Sequence, residues 1–417
     1  MTPGVLVVGA NQAGVQIAVS LRERGYDDPI TMVGAEPYLP YQRPPLSKAF
    51  LSGSADLGTL AFRTAAFYEE QGITVLTGMR VEHLALSGEG SGTATTDTGR
   101  ELPFDRLALT VGARPRRLQL PGAELGGVCY LRHAEDAMRL RRELESAQAV
   151  VVIGGGFIGL EAASAARSQG KAVTVVEAAD RLIARAVAPV VSDFYRAAHE
   201  RRGTVVHLSA SVTALEEGSP GRVGAVVLAD GTRLPADVVL VGVGIVPRTE
   251  LAEELGAVCD GGIVVDRHAR TSIRGVVAAG DCTVFPNPLT GEGRVRLESV
   301  QNAVSQAKVA AATLVGQDEP YTDVPWFWSD QYDLKLQIAG LSAGYDDVVI
   351  RGDRDAERFA ALYYRCGNLV ACDAVNSPAD YLTVRKALAQ GATIPAERAE
   401  DSATPLKSLI TARAVAA

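Results

Sequence analysis

Four apolar residues, Val5-Leu-Val-Val8, run into Gly9-Ala-Asn11-Gln-Ala13-Gly14 and then into Val15–Leu21, a mostly apolar segment. A short apolar run bounded by glycine reads as a buried strand, so the pattern predicts strand, tight turn and helix in that order. The pattern returns 145 positions later: Ala149-Val-Val-Val-Ile153 leads into Gly154-Gly-Gly156-Phe-Ile158-Gly159-Leu-Glu161 and an alanine-rich helix, Ala162 to Gln169. Behind each helix lies a second apolar strand, Ile30-Thr-Met-Val33 and Ala172-Val-Thr-Val-Val176. Each leads to a carboxylate, Glu36 at 27 positions after Gly9 and Glu177 at 23 after Gly154. A repeated strand–turn–helix–strand unit predicts an α/β protein with two parallel sheets.

Other segments are quieter. Tyr38–Lys48 is stiffened by prolines and carries Arg43 and Lys48; a solvated charge pair on a surface loop and a loop pinned against an anionic cofactor are both open readings. A helix and short strands are expected over 59–109, including Ile73–Leu76, and Gly112-Ala-Arg-Pro115 closes that stretch. Arg132 ends a leucine- and glycine-rich connector. Asp237–Pro247 repeats the strand-into-glycine pattern, and Gly275-Val-Val-Ala-Ala-Gly280-Asp281 ends in an acid that a simple turn cap would also explain. Glu298-Ser-Val300-Gln-Asn-Ala303 opens a helix to about Val315. Beyond Pro320 the pattern shifts to alternating strands (335–340, 347–350, 359–365, 369–374) and a helix over 379–390, a separate α+β domain. From Ala399 onward a loosely docked tail is expected.

Composition narrows the classes. A chain of 417 residues exceeds one core, and 47% hydrophobic with 22% charged residues excludes long disorder. The net charge of −8 argues against a nucleic-acid protein. The first apolar run has no basic leader and no run nears the roughly 20 apolar residues of a membrane span, so a cytoplasmic protein without membrane attachment is expected. Cys129, Cys259, Cys282, Cys366 and Cys372 show neither C-x2-C nor C-x4-C spacing; buried free thiols and no metal site are expected.

The chemistry sits at the turns. A helix that opens after a glycine turn offers unpaired N–H groups and partial positive charge to a pyrophosphate. Gly154-x-Gly156-x-x-Gly159 meets the dinucleotide pattern in full, and Glu177 suits a free ribose 2′-hydroxyl while repelling a 2′-phosphate, which favours NADH over NADPH. Arg181 and Arg185 stand just beyond as cations able to assist a phosphate. In the first turn the middle glycine is Asn11, and an ordinary strand–turn–helix stays open there.

Together, Pro44-Pro45-Leu-Ser-Lys48, the second glycine turn, Ala279-Gly280-Asp281, Glu298-Ser-Val-Gln-Asn-Ala303 and Trp326-Phe-Trp328-Ser-Asp-Gln-Tyr332 resemble the FAD-containing, NADH-dependent ferredoxin reductases of bacterial haem-thiolate monooxygenases and Rieske dioxygenases, over nearly the whole chain. The resemblance implies a fold of glutathione-reductase type: two Rossmann-like domains, an FAD domain from 1–115 and 245–324 and an NADH domain over 116–244, plus a C-terminal α+β domain over 325–417. It implies FAD contacts at the turn Gly9, Asn11, Ala13 and Gly14, at Ala35 and Glu36, in the loop Arg43, Pro45 and Lys48, and at Val81, Gly112, Arg132, Gly280, Asp281, Glu298 and Val300. It implies NADH contacts at Gly154, Gly156, Ile158, Gly159, Glu161, Glu177 and Gly244. Lys48, Glu161 and Trp328 would stand at the reacting rings, with Lys48 approaching Glu161.

Two positions depart from the resemblance: Asn11, and Ala35, where the family's ribose-binding acid falls one residue before Glu36. Weaker FAD retention is the expectation. Without a thiol pair, electrons would leave the flavin directly for a [2Fe–2S] ferredoxin of acidic surface. An NADH oxidase or apoptosis-inducing-factor type of flavoprotein is the alternative, and a redox-dead nucleotide-binding protein a second. A monomer and a weak dimer are both open.

Overall fold

The computed structural model describes residues 3–413, and their contacts divide them into two units. One comprises 3–42, 57–114 and 246–325; the other comprises 43–56, 115–245 and 326–413.

The first unit is built on a five-stranded parallel sheet in the order Val276–Ala278, Arg106–Leu109, Val5–Val8, Ile30–Val33, Ile73–Leu76. These strands are short and apolar because a parallel sheet is covered on both faces; Val5, Val7, Met32 and Leu107 are fully buried. Helices Gln12–Glu23 and Val300–Leu314 pack on each other beside the sheet. Ser299 caps the second by accepting the Asn302 N–H at 3.0 Å, so this helix starts just after Glu298.

The second unit holds a parallel sheet in the order Thr204–His207, Ala172–Val176, Ala149–Ile153, Val238–Val241, Val128–Tyr130. It also holds an antiparallel sheet in the order Trp326–Gln331, Leu334–Gly340, Asn368–Val375, Arg358–Arg365, Asp347–Asp353, backed by helix Pro378–Ala389. Helix Phe157–Ser168 touches both sheets, lying on the parallel strands and on Trp326–Gln331. It starts five residues earlier than its alanine run suggests, because Gly156 serves as the N-cap and Gly159 is helical. Strand Trp326–Gln331 alternates: Phe327 stacks 4.6 Å from Phe157, and Ser329 and Gln331 are fully buried on that same face. Trp326, Trp328 and Asp330 line a groove on the other face, with Lys335, Gln337 and Asn376.

The expected loose tail is wrong up to residue 413. Ala396–Ala399 is helical, Leu406 and Leu409 are buried, and Thr411–Ala412 pairs with Ala392–Thr393. The anchor is Arg351, buried in the antiparallel sheet, whose guanidinium donates to the carbonyls of Ala399, Asp401 and Thr404 at 3.1, 2.6 and 2.9 Å. Such long-range capture leaves no local trace in sequence. Residues 414–417 of that tail, and residues 1–2 of the first domain, lie outside the described residues. All five cysteines are free; Cys129, Cys282 and Cys372 are buried as expected, whereas Cys259 is half-buried and Cys366 is exposed in a turn.

Candidate functional site

Both glycine turns are framed the same way. Gly9 and Gly154 have φ of +113° and +107°, which only glycine adopts without strain, and a Cβ on them would lie 2.2 Å from Thr110 O and 2.5 Å from Gly242 O. A Cβ on Gly14 would lie 2.1 Å from Gly9 O, and one on Gly159 2.2 Å from Gly154 O. The backbone therefore demands the first and third glycines. The middle position is different: Gly156 is extended, and a Cβ there would meet nothing within 4 Å. That open space lies at the uncapped N-terminus of a 12-residue helix and fits a pyrophosphate.

At the end of the next strand, the Glu177 carboxylate accepts Gly155 N–H at 2.6 Å and Ala179 N–H at 2.8 Å, which fixes it beside the glycine turn. Ile183, β-branched yet at φ +54°, donates its N–H to Gly155 O at 2.9 Å and holds the following loop onto the same turn. Arg181 is spent within that loop on Val187 O, Ala184 O and the Ser192 hydroxyl, so it offers no phosphate site. Arg185 is exposed, its Nη2 3.7 Å from where a Gly244 Cβ would lie. Ile158, in the helix's first turn, is 46% exposed, an apolar surface free for a ligand.

Also in the second unit, the loop Arg43–Lys48 meets helix Phe157–Ser168. Pro44 and Pro45 set a short 3-10 turn, whose Pro45 carbonyl accepts Lys48 N–H at 3.0 Å. Lys48 Nζ then reaches Glu161 Oε2 at 2.7 Å, and Ser47 Oγ donates to the same oxygen at 2.5 Å. Ser329 Oγ donates to Oε1 at 2.7 Å. Glu161 is 2% exposed, so its charge is compensated by an ammonium and two hydroxyls, whereas Lys48 keeps 20% of its side chain in reach of solvent or ligand. Arg43 turns elsewhere, to Arg132 O at 2.7 Å and His133 Nδ1 at 2.9 Å. Trp328 stands in the groove beside Trp326, ring centroids 5.7 Å apart.

In the first unit, Asn11 is also extended and caps the helix, its Oδ1 accepting Gln12 N–H at 3.0 Å. Gly280, at φ +88°, comes so close that a Cβ would touch those of Ala13 at 3.4 Å and Ala303 at 3.8 Å. Two helix N-termini with no acid in their first turns, at Gln12 and Val300, thus converge on the Gly280–Asp281 turn, a fit for the phosphates of a dinucleotide. Gln306 Oε1 accepts Gly280 N–H and the Thr283 hydroxyl, both at 2.8 Å, and holds the turn. Val81 heads the strand Val81–Leu86, and Gly112 O accepts Arg248 N–H at 3.0 Å. Glu36 takes the Tyr41 hydroxyl, while Ala35 is exposed. Sequence reasoning missed Ser329, Gln331 and Tyr41; the period-2 burial of a strand carrying Ser329 and Gln331 is the signal that points to the first two.

Residues 3–307 match the model of the pyridine nucleotide-disulphide oxidoreductase family. The chain belongs to that family. In this oxidoreductase residues 326–410 also match the reductase C-terminal domain. Rhodocoxin reductase of Rhodococcus erythropolis is 44% identical over 97% of this chain and 94% of its own. Putidaredoxin reductase of Pseudomonas putida is 38% identical, over 98% and 97%. Among solved structures, a ferredoxin reductase from Rhodopseudomonas palustris superposes with a TM-score of 0.94 at 41% identity, covering 98% of this oxidoreductase and all of that chain. The reductase of the covalent putidaredoxin reductase–putidaredoxin complex gives 0.92 at 38%, covering 97% of each.

Proposed function

We infer that this protein is an FAD-dependent ferredoxin reductase that prefers NADH. The observation that carries the reading is the buried contact of Lys48 with Glu161, on the first turns of the helix that follows the complete dinucleotide turn. The full-length likeness to ferredoxin reductases supports it. The chemistry that a bound FAD supplies is the conversion of one hydride from NADH into two single electrons for a [2Fe–2S] ferredoxin.

The chain's own work is binding, orientation and electrostatics. On this reading, the N–H groups of the first turns of helices Gln12–Glu23 and Phe157–Ser168 bind the two pyrophosphates. Glu177 takes the ribose 2′-hydroxyl of NADH and repels a 2′-phosphate; Arg181 is occupied within its loop and leaves that repulsion standing, while Arg185 is exposed. Gly244 leaves room behind the nicotinamide. Lys48 presents a cation to the flavin ring, steadied by Glu161, and Trp328 shields the ring. Arg132, Val81, Gly112, Asp281, Glu298 and Val300 are proposed FAD contacts. We propose a division of the chain into an FAD domain (1–115, 245–324), an NADH domain (116–244) and a C-terminal domain (325–417), and a place in the cytoplasm serving a haem-thiolate monooxygenase or Rieske dioxygenase.

The test is a visible spectrum of the purified protein, then NADH-driven cytochrome c reduction with a [2Fe–2S] ferredoxin, with a rubredoxin and with neither. Flavin absorbance and dependence on the ferredoxin are expected; a protein that holds no flavin and takes up none on reconstitution overturns the reading. Lys48→Ala is expected to slow flavin reduction by NADH far more than it weakens FAD retention, and equal effects would remove Lys48 from the ring.

A further inference from the structure

The donors that hold Glu161 do not stop at Ser329. Gln331 Nε2 donates to Ser329 Oγ at 3.2 Å, and Gln331 Oε1 pairs with His199 Nε2 at 2.8 Å. Ser329, Gln331 and His199 are all fully buried, and burial lowers the His199 pKa, disfavouring the charged imidazolium. Nδ1 of His199 has no partner among the described residues, so the ring proton belongs on Nε2, facing Gln331. Every bond in the series then points one way: His199 N–H to Gln331 oxygen, Gln331 N–H to Ser329 oxygen, Ser329 O–H to Glu161. Because Ser329 already accepts from Gln331, its own proton is committed to the Glu161 carboxylate. Hydrogen bonds aligned head to tail polarise one another, and here the negative end of the chain is a carboxylate.

We propose that Ser329, oriented by Gln331 and His199, is a positioning residue that fixes the Glu161 carboxylate and, through it, the Lys48 ammonium. Trp326–Gln331, the strand that shows Trp328 on one face, thereby sets the active-site charge from the other. The inference rests on the proposed reductase function for its kinetic consequence, not for the contact itself.

The contact is tested by unfolding. Ser329→Ala, Glu161→Leu and the double variant are followed by thermal and urea denaturation; the two changes are expected to be non-additive, since each deletes one end of the same bond. Additive effects overturn the proposal, whether or not the protein binds FAD. The kinetic consequence is read in the FAD-loaded enzyme by rapid mixing with NADH. Ser329→Ala is expected to slow flavin reduction on the order of 10-fold with FAD content unchanged, as a buried charge left short of a donor shifts its partner. Gln331→Met is expected to slow it by about 3-fold alone and not at all in the Ser329→Ala background, because Gln331 acts through Ser329. A rate within 2-fold of wild type for folded Ser329→Ala, or an undiminished Gln331→Met effect in that background, overturns it. Failure of the wild-type protein to take up FAD would sink the reductase reading alone, leaving the unfolding result to decide on Ser329.

Discussion

In the first glycine turn the residue ahead of the helix is Asn11, extended, its side chain folded onto the Gln12 N–H. In the second it is Gly156, equally extended, with nothing about it and no side-chain cap on the helix. The flanking glycines are alike in both, each jammed against a carbonyl oxygen. The contrast separates two demands that the G-x-G-x-x-G pattern merges. The first and third glycines serve the backbone, and the backbone makes no demand on the middle one. Asn11 is therefore compatible with the fold of its turn and satisfies a helix N–H that a phosphate would otherwise meet.

The comparison can be broken or sharpened by substitution. The largest effects belong to the shared frame: Gly14→Ala and Gly159→Ala each drive a Cβ into a backbone carbonyl, and each is expected to cost more than about 3 kcal/mol in urea unfolding. A cost under about 1 kcal/mol at either site would mean that the frames differ. Next, Glu177→Ala is expected to lower the NADH/NADPH ratio of kcat/KM by about 10-fold or more, whereas Glu36→Ala, whose carboxylate is held by Tyr41, leaves it unchanged. Gly156→Asn copies the first turn into the second; stability within about 1 kcal/mol of wild type and an NADH KM raised about 10-fold are expected, since the position is open to solvent and ligand alone. The smallest change is the reverse one. Asn11→Gly is expected to tighten FAD by a few-fold while losing only a few tenths of a kcal/mol of capping, and FAD bound less tightly would assign Asn11 a ligand contact of its own.

What could be read from the sequence follows from how local each device is. Apolar runs, glycines and the carboxylate at the end of a strand are confined to about thirty residues, so both strand–turn–helix–strand units are legible in the sequence. The C-terminal strands were also legible as short apolar runs, except Trp326–Gln331, whose aromatics masked its period. The approach of Lys48 to Glu161 was legible only through resemblance, because 113 residues separate them and nothing in either stretch encodes the distance. Ser329 escaped as well: between Trp328 and Asp330 its polar side chain reads as surface until the period of the strand and the helix it faces are known. The Arg351 anchor escaped for the same reason, its three carbonyl partners lying about 50 residues away and carrying no side-chain chemistry.

The composition of the second unit bears on how the protein is made. Lys48, Glu161 and Ser329 come from three stretches spread across most of the chain. On a ribosome the first two emerge long before the third, so the Glu161 carboxylate must stay hydrated, and its helix incompletely packed, until strand Trp326–Gln331 arrives. The Arg351 guanidinium waits longer still, for the carbonyls of residues 399, 401 and 404. A nascent chain halted before residue 329 would thus carry its second glycine turn with an unfinished cluster around Glu161, which strand Trp326–Gln331 closes.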